Sequence, residues 1–225
     1  MPAMANHGGI SWAGIVLGAM VLAAAPACGE DDVGRPWMVS EAALPAGFPG
    51  PGPVGEVIVK TYPAHRLARA AGKQGGNGAF MKLFRHIERN EIKMTAPVVM
   101  DWGDRPAGAE GAGGQPAAMA FLYAQPTLGA VGQDPADPLV VVADAPETVV
   151  TSIGLRGAYD EATMKRGLEQ LRAWLAKHPE WAEAGPPRSL AYNSPFVPWF
   201  AKYSEVQIPV ARKADGKPAG EPRPE

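Results

Sequence analysis

FMKLFRHIERNEIKMTAPV, residues 80–98, changes its hydrophobic period partway along, and that change sets the fold. Phe80, Leu83, Phe84 and Ile87 recur at i, i+3, i+4 and i+7, the spacing that puts apolar side chains on one face of a helix. Lys82, Arg85, His86 and Arg89 fall on the other face. From Ile92 the chain reads IKMTAPVVMDW, rich in β-favouring side chains and bounded by turn residues, which predicts a strand. Upstream, the glycine-rich GKQGGNG separates the helix from EVIVKTYPAHRLARA (56–70). That run reads as a first strand, with Pro63 suited to an edge or a bulge. Downstream, AMAFLYAQ (118–125) reads as another strand, so this half is β-α-β-β.

The order recurs in the second half. ETVVTSIGLR (147–156) reads as a strand, and Asp160 stands where a carboxylate accepts the first free N–H groups of a helix. Met164, Leu168, Leu171 and Leu175 form that helix's apolar stripe, and Pro179 helps to end it. Strands around SLAYNS (189–194) and SEVQIPV (204–210) follow. Met94-Thr95-Ala96-Pro97 and Tyr192-Asn193-Ser194-Pro195 punctuate the two halves alike, each closing a post-helix strand at a proline. The fold class expected is α+β: a duplicated β-α-β-β unit placing two helices on one antiparallel sheet or open barrel, about a pseudo-two-fold axis.

The 225 residues are 46% hydrophobic and 20% charged, enough apolar matter for one sizeable core. The 21 basic and 23 acidic residues are interspersed and give a net charge of -2. No basic stripe marks a nucleic-acid surface, so no nucleic-acid partner is expected. Ile10–Ala25 is uncharged, but its sixteen residues fall short of the roughly 20 that a helix needs to span a bilayer. Ala25-Pro26-Ala27 then offers the small-x-small pattern of a cleavage site, directly before Cys28, the only cysteine. This placement resembles a bacterial lipobox, whose cysteine receives lipid. Residues 1–28 are therefore expected to be a signal peptide with a lipobox-like Cys28, and residues 29–54, rich in Pro and Gly, a flexible tether. The domain is expected at 55–210 and a disordered tail at 211–225. The chain is expected to be exported and membrane-anchored at the cell envelope, facing the periplasm or the exterior. Plain secretion, or a buried thiol, is the competing reading of Cys28.

Three blocks, FMKLFRHIERNEIKMTAPV, GLRGAYDEATMKRGLEQLRAWL and AYNSPFVPWFAKYSEVQIPV, resemble the signature segments of the SOUL haem-binding proteins, over roughly residues 55–210. The resemblance implies a distorted antiparallel β-barrel flanked by two helices, like bacterial effector-binding domains. It also implies haem or another tetrapyrrole as ligand, held in a shallow apolar groove along the first helix. Carried over by position, Phe80 and Phe84 stand where groove-lining side chains occur, and Arg85 where a basic residue meets the propionates. An aromatic face stacks on a porphyrin, and a guanidinium pairs bidentately with a carboxylate. Some members carry a histidine just before the first-strand tyrosine, proposed as an axial iron ligand. Here that position is Thr61, before Tyr62, and His65 is the substitute if a bulge at Pro63 turns it inward. A basic position near the Y-N-S-P block is Val197.

No nucleophile elbow, C-x-x-C, H-E-x-x-H or Walker loop occurs, so no catalysis is expected. Other readings are a binder of a different flat apolar molecule, a small-molecule hydrolase on the same fold, or a purely structural module.

Overall fold

The computed structural model describes residues 41–71, 75–103, 116–194 and 196–213. Cys28 and the segment before it, the tether to residue 40, most of the Gly103–Pro116 stretch, Pro195 and the tail from residue 214 lie outside the described residues. In chain order the elements are β1 Val57–Tyr62, β2 His65–Ala71, α1 Gly75–Arg89, β3 Val98–Asp101, β4 Ala118–Leu122, β5 Gly132–Asp134 and β6 Asp137–Ala145. Then come β7 Thr148–Arg156, α2 Glu161–Leu175, β8 Trp181–Glu183, β9 Arg188–Ala191, a 3₁₀ turn Trp199–Ala201 and β10 Tyr203–Arg212.

The strands form one antiparallel sheet in the order β1-β7-β10-β9-β3-β4-β2-β6-β5, with β8 added on β10. Its centre is the β9–β3 pair, where Leu190 faces Val99. Outward from that line the halves mirror each other. β3, β4 and β2 answer to β9, β10 and β7, with β6 and β1 as the outer neighbours of β2 and β7. Each unit therefore runs strand, helix, central strand, then a strand inserted between the first two, and the predicted duplication is present in the topology. No described strand joins β1 to β5, so the sheet is open rather than a closed barrel.

Both helices cover one face. Ala79, Leu83 and Ile87 of α1 bury against Ala68, Ala70, Val98, Met100, Met119, Phe121, Val140 and Val142. Met164, Leu168 and Leu171 of α2 bury against Ile153, Leu155, Val206, Ile208 and Val210. Each Leu, Ile, Val, Met or Phe among them contributes about 1.5–3 kcal/mol over its exposed state. Asp160 caps α2 as expected, its Oδ1 accepting from the Thr163 N–H at 2.8 Å. Trp102 packs on both cores and donates its indole N–H to Ser189 Oγ at 2.9 Å, tying the halves together.

Three expectations are corrected. The run 56–70 is two strands, not one: it breaks at Pro63, β1 pairing β7 and β2 pairing β4 and β6 on the far side of the sheet. Proline has no N–H to give either ladder, which makes it the natural crossing point. Residues 41–54 are not a free tether. They lie along the helix-free face, where Ala43 O accepts from Ala96 N, Ala46 N donates to Ala124 O, and Leu44 and Phe48 pack beside Tyr62, Val150, Leu190, Tyr192 and Tyr203. Val54 forms a parallel bridge to Gly154. A Cβ at Gly154 would sit 2.5 Å from Pro53 O, so only glycine lets this strap cross β7. Lastly, residues 211–213 continue the fold, β10 reaching Arg212 and Lys213 N donating to Glu180 O.

Candidate functional site

On α1 the buried stripe is rotated slightly from the predicted one. Ala79, Leu83, His86 and Ile87 face the sheet, Phe80 is half-buried, and Phe84 sits at the exposed rim with Met81. Phe80 meets Phe121 edge-on at 5.2 Å between ring centroids. Its other side stacks with Phe84, at 6.3 Å and 12° between planes. The two rings thus form a parallel step running from the core edge to solvent. Arg85, the next residue, is exposed and makes no ion pair among the described residues, whereas Lys82 faces Asp137 and Arg89 binds Asp134.

His86, expected on the polar face, is buried. Nδ1 lies 2.6 Å from Asp134 Oδ2 and Nε2 2.7 Å from Tyr123 Oη. The helix turns it inward because it follows Leu83 by three residues, and the β5–β6 hairpin supplies the partner carboxylate. Burial works against the Asp134 charge, but hydrogen bonds from His86, the Ala136 N–H and Arg89, with the Arg89 charge, hold its pKa down to about 2. Burial pushes Tyr123 up to about 12. This triad fastens α1 to β5.

His65 lies apart from the α1 rim. Ala68 and Ala70 of β2 face α1, and strand alternation turns His65 to the helix-free face. There it is buried, its ring edge-on to Phe48 at 5.0 Å and its Nδ1 2.8 Å from Pro63 O. Burial lowers its pKa, so the ring is held neutral. The structure therefore brings Phe80, Phe84 and Arg85 together and leaves His65 on the other side of the sheet. No group of three or more His, Cys, Asp or Glu side chains suited to a metal ion occurs among the described residues. The α1 rim fits the face of a flat macrocycle and one carboxylate, but His65 does not fit an iron bound there.

The helix-free face holds a polar centre that the sequence reading did not single out. Glu205 Oε1 accepts from Lys60 Nζ at 2.6 Å and from the strap's Gly52 N–H at 2.6 Å. Oε2 accepts from Ser152 Oγ at 2.8 Å and Gln207 Nε2 at 3.0 Å. Lys60 also donates to Gly50 O at 2.7 Å, and the Tyr203 hydroxyl to Gly52 O at 2.6 Å. Burial disfavours the Glu205 charge, yet the Lys60 charge and the hydrogen bonds from Lys60, Gly52 and Ser152 outweigh it and keep the carboxyl below its ordinary range. Burial, reinforced by Glu205, pushes the Tyr62, Tyr192 and Tyr203 phenols far up. Among the described residues, the buried Tyr192 Oη has no partner in full hydrogen-bond geometry. One signal was available: Glu205 and Gln207 alternate with apolar residues in YSEVQIPV, whose other face is core, so these polar side chains point into a second buried layer. With its carboxylate satisfied by an internal ammonium and the strap, this centre is a lock between strap and sheet.

A model of the SOUL heme-binding protein family matches residues 55–209. A comparison with curated proteins finds no match. Among solved structures, the chain is similar to the EcmrR C-terminal domain, at 12% identity and a TM-score of 0.50, covering 70% of this chain and 98% of that one. It is also similar to an uncharacterized conserved protein from Listeria innocua, at 11% identity and a TM-score of 0.51, covering 71% and 94%. A hydrolase from Listeria innocua aligns at 12% identity, a TM-score of 0.48 and coverage of 71% and 94%. For the first two, at these identities, the likeness is one of fold alone.

Proposed function

The chain belongs to the SOUL heme-binding protein family, and from that premise we propose that it binds haem or another tetrapyrrole on the outer rim of α1, without chemistry of its own, while tethered at the cell envelope through Cys28. The observation that carries this reading is the juxtaposition on α1. A stacked aromatic step, Phe80 and Phe84, ends in solvent beside Arg85, whose guanidinium has no carboxylate partner among the described residues. The apolar step offers stacking and burial to a macrocycle face. Arg85 offers charge-assisted hydrogen bonds to a propionate. The bound group would supply whatever redox or sensing chemistry the protein serves; the α1 residues hold and orient it.

Comparing hemin with its dimethyl ester tests the polar half of the reading. The full chain should bind the ester more weakly, and Arg85→Gln should reduce affinity for hemin about tenfold while leaving the ester nearly unchanged, as expected for a lost charge-assisted contact of about 1.5 kcal/mol. Equal loss for both ligands would place the propionates elsewhere.

A further inference from the structure

The loop between β9 and β10 carries an apolar surface that neither the fold nor the α1 rim uses. Phe196 is 93% exposed, Trp199 67% and Phe200 64%. Trp199 and Phe200 meet edge-on at 5.9 Å, and Phe196 stands three residues before Trp199 on the same loop. The loop that presents them is built. Val197 is buried beneath it, and Ala201 N and Lys202 N donate back to Pro198 O. At the base Asn193 Oδ1 accepts from Tyr203 N at 2.8 Å, and the Tyr159 hydroxyl bonds both Asn193 N and Tyr203 O. The aromatic side chains are thus held out into water by an ordered turn, an arrangement that needs a covering surface.

The chain path indicates which one. At the base of the same loop, Ser194 N and Oγ both donate to the Glu41 carboxylate, each at 2.6 Å. The segment arriving from the N-terminal side therefore joins the domain beside the aromatic cluster. Only residues 29–40 separate Glu41 from Cys28, a reach of at most about 45 Å when extended. A lipid on Cys28 would keep this end of the domain near a bilayer. Trp and Phe side chains favour the bilayer interface. Lys202, whose ammonium lies 5.2 Å from the Tyr159 ring centroid, adds a cation at the loop's edge suited to anionic headgroups.

We infer that Phe196, Trp199 and Phe200 dock the domain onto a lipid bilayer, as a second contact beside the anchor. The inference rests on the envelope-anchoring reading. It adds to the lipid anchor a second point of attachment, which fixes how this end of the domain meets the membrane.

Cys28 is the only cysteine, and as a lipidated thioether it no longer reacts with a thiol label, so a cysteine placed elsewhere in the lipidated full chain takes the one nitroxide. Two labels per chain would show Cys28 free and overturn the anchor. A label at Phe196→Cys is compared with one at Leu139→Cys, an exposed apolar position on β6. Both chains are bound to phosphatidylethanolamine–phosphatidylglycerol vesicles and read for collision with oxygen against a water-soluble nickel chelate. The inference predicts a several-fold higher oxygen-to-nickel ratio at 196 than at 139, falling to the level at 139 when Trp199→Ser and Phe200→Ser are added. Equal ratios with the chain still on the vesicles would overturn the docking loop and leave the anchor standing. Chain that does not sediment with vesicles would overturn both. Spin–spin broadening at 196 without vesicles would assign the patch to a second copy of the chain instead.

Discussion

Lys60 Nζ lies 2.6 Å from Glu205 Oε1, and the two side chains are 5% and 0% exposed. The pair joins the edge strand β1 to β10, the third strand in, across β7, and Gly52 closes it from the strap. Removing one partner of a buried pair strands the other charge. Lys60→Met is therefore expected to lower unfolding stability by about 3–5 kcal/mol, and Lys60→Met with Glu205→Gln to recover part of that loss. Urea unfolding measures both. A single-variant loss under about 1 kcal/mol would mean that the strap and hydroxyl donors alone satisfy Glu205.

Acid should unfold the domain in two stages. His65 is held neutral by burial, so below its unfolded value of 6.5 the unfolded chain takes up a proton that the folded chain refuses, and stability falls as pH drops. Glu205 and Asp134 are held below their ordinary values of 4.5 and 3.8. Their contributions are complete above those values and are lost as pH falls further, for Asp134 down to about 2. Urea midpoints between pH 8 and 5 should slope downward on acidification, and His65→Gln should flatten that slope. A slope unchanged by the variant would assign it to another group.

Gly167 offers a test with a sign opposite to propensity. Glycine to alanine inside a helix ordinarily gains up to about 1 kcal/mol. Here the added Cβ would stand 2.6 Å from Val206 Cβ and Cγ2, where α2 lies closest to β10. Gly167→Ala is expected to cost about 1–3 kcal/mol through overpacking, read by thermal or urea unfolding. Unchanged or raised stability would show that α2 can lift off the sheet freely.

His65 separates two accounts of iron. Its ring faces Phe48 on the helix-free side, so His65→Ala should leave the hemin Soret spectrum and affinity of the protein unchanged. A lost or shifted Soret band would place the ligand on that side and move the site away from α1.

Much of the architecture was legible because it rests on period. Leu83 and Ile87, and Met164, Leu168 and Leu171, are spaced as helix faces and bury as read, whereas Phe80 and Leu175 bury only in part and Phe84 stays exposed. Asp160 announced its cap. What the sequence concealed depends on partners distant along the chain. Pro63 reads equally as a bulge within one strand or a crossing between two, and only the pairing of β1 with β7 decides. Glycine and proline in 41–54 suggest a linker, but Gly50, Gly52 and Phe48 are held by Lys60, Glu205 and Tyr62, none of them local. His86 looked solvated until the β5–β6 hairpin, with its short and weakly apolar β5, brought Asp134 over it. Of the candidate site, Phe80, Phe84 and Arg85 came from the family resemblance and one helical turn explains their nearness, whereas the place of His65 needed the sheet.

The central claim is that the α1 rim holds a tetrapyrrole. Titrating hemin into the full chain while following the Soret band, beside a Phe80→Ala, Phe84→Ala variant with matched urea stability, tests it most directly. The account predicts a saturable shift at one hemin per chain that the variant loses or weakens at least tenfold, about 1.4 kcal/mol. An absent shift, or one that persists unchanged in the variant, would contradict it.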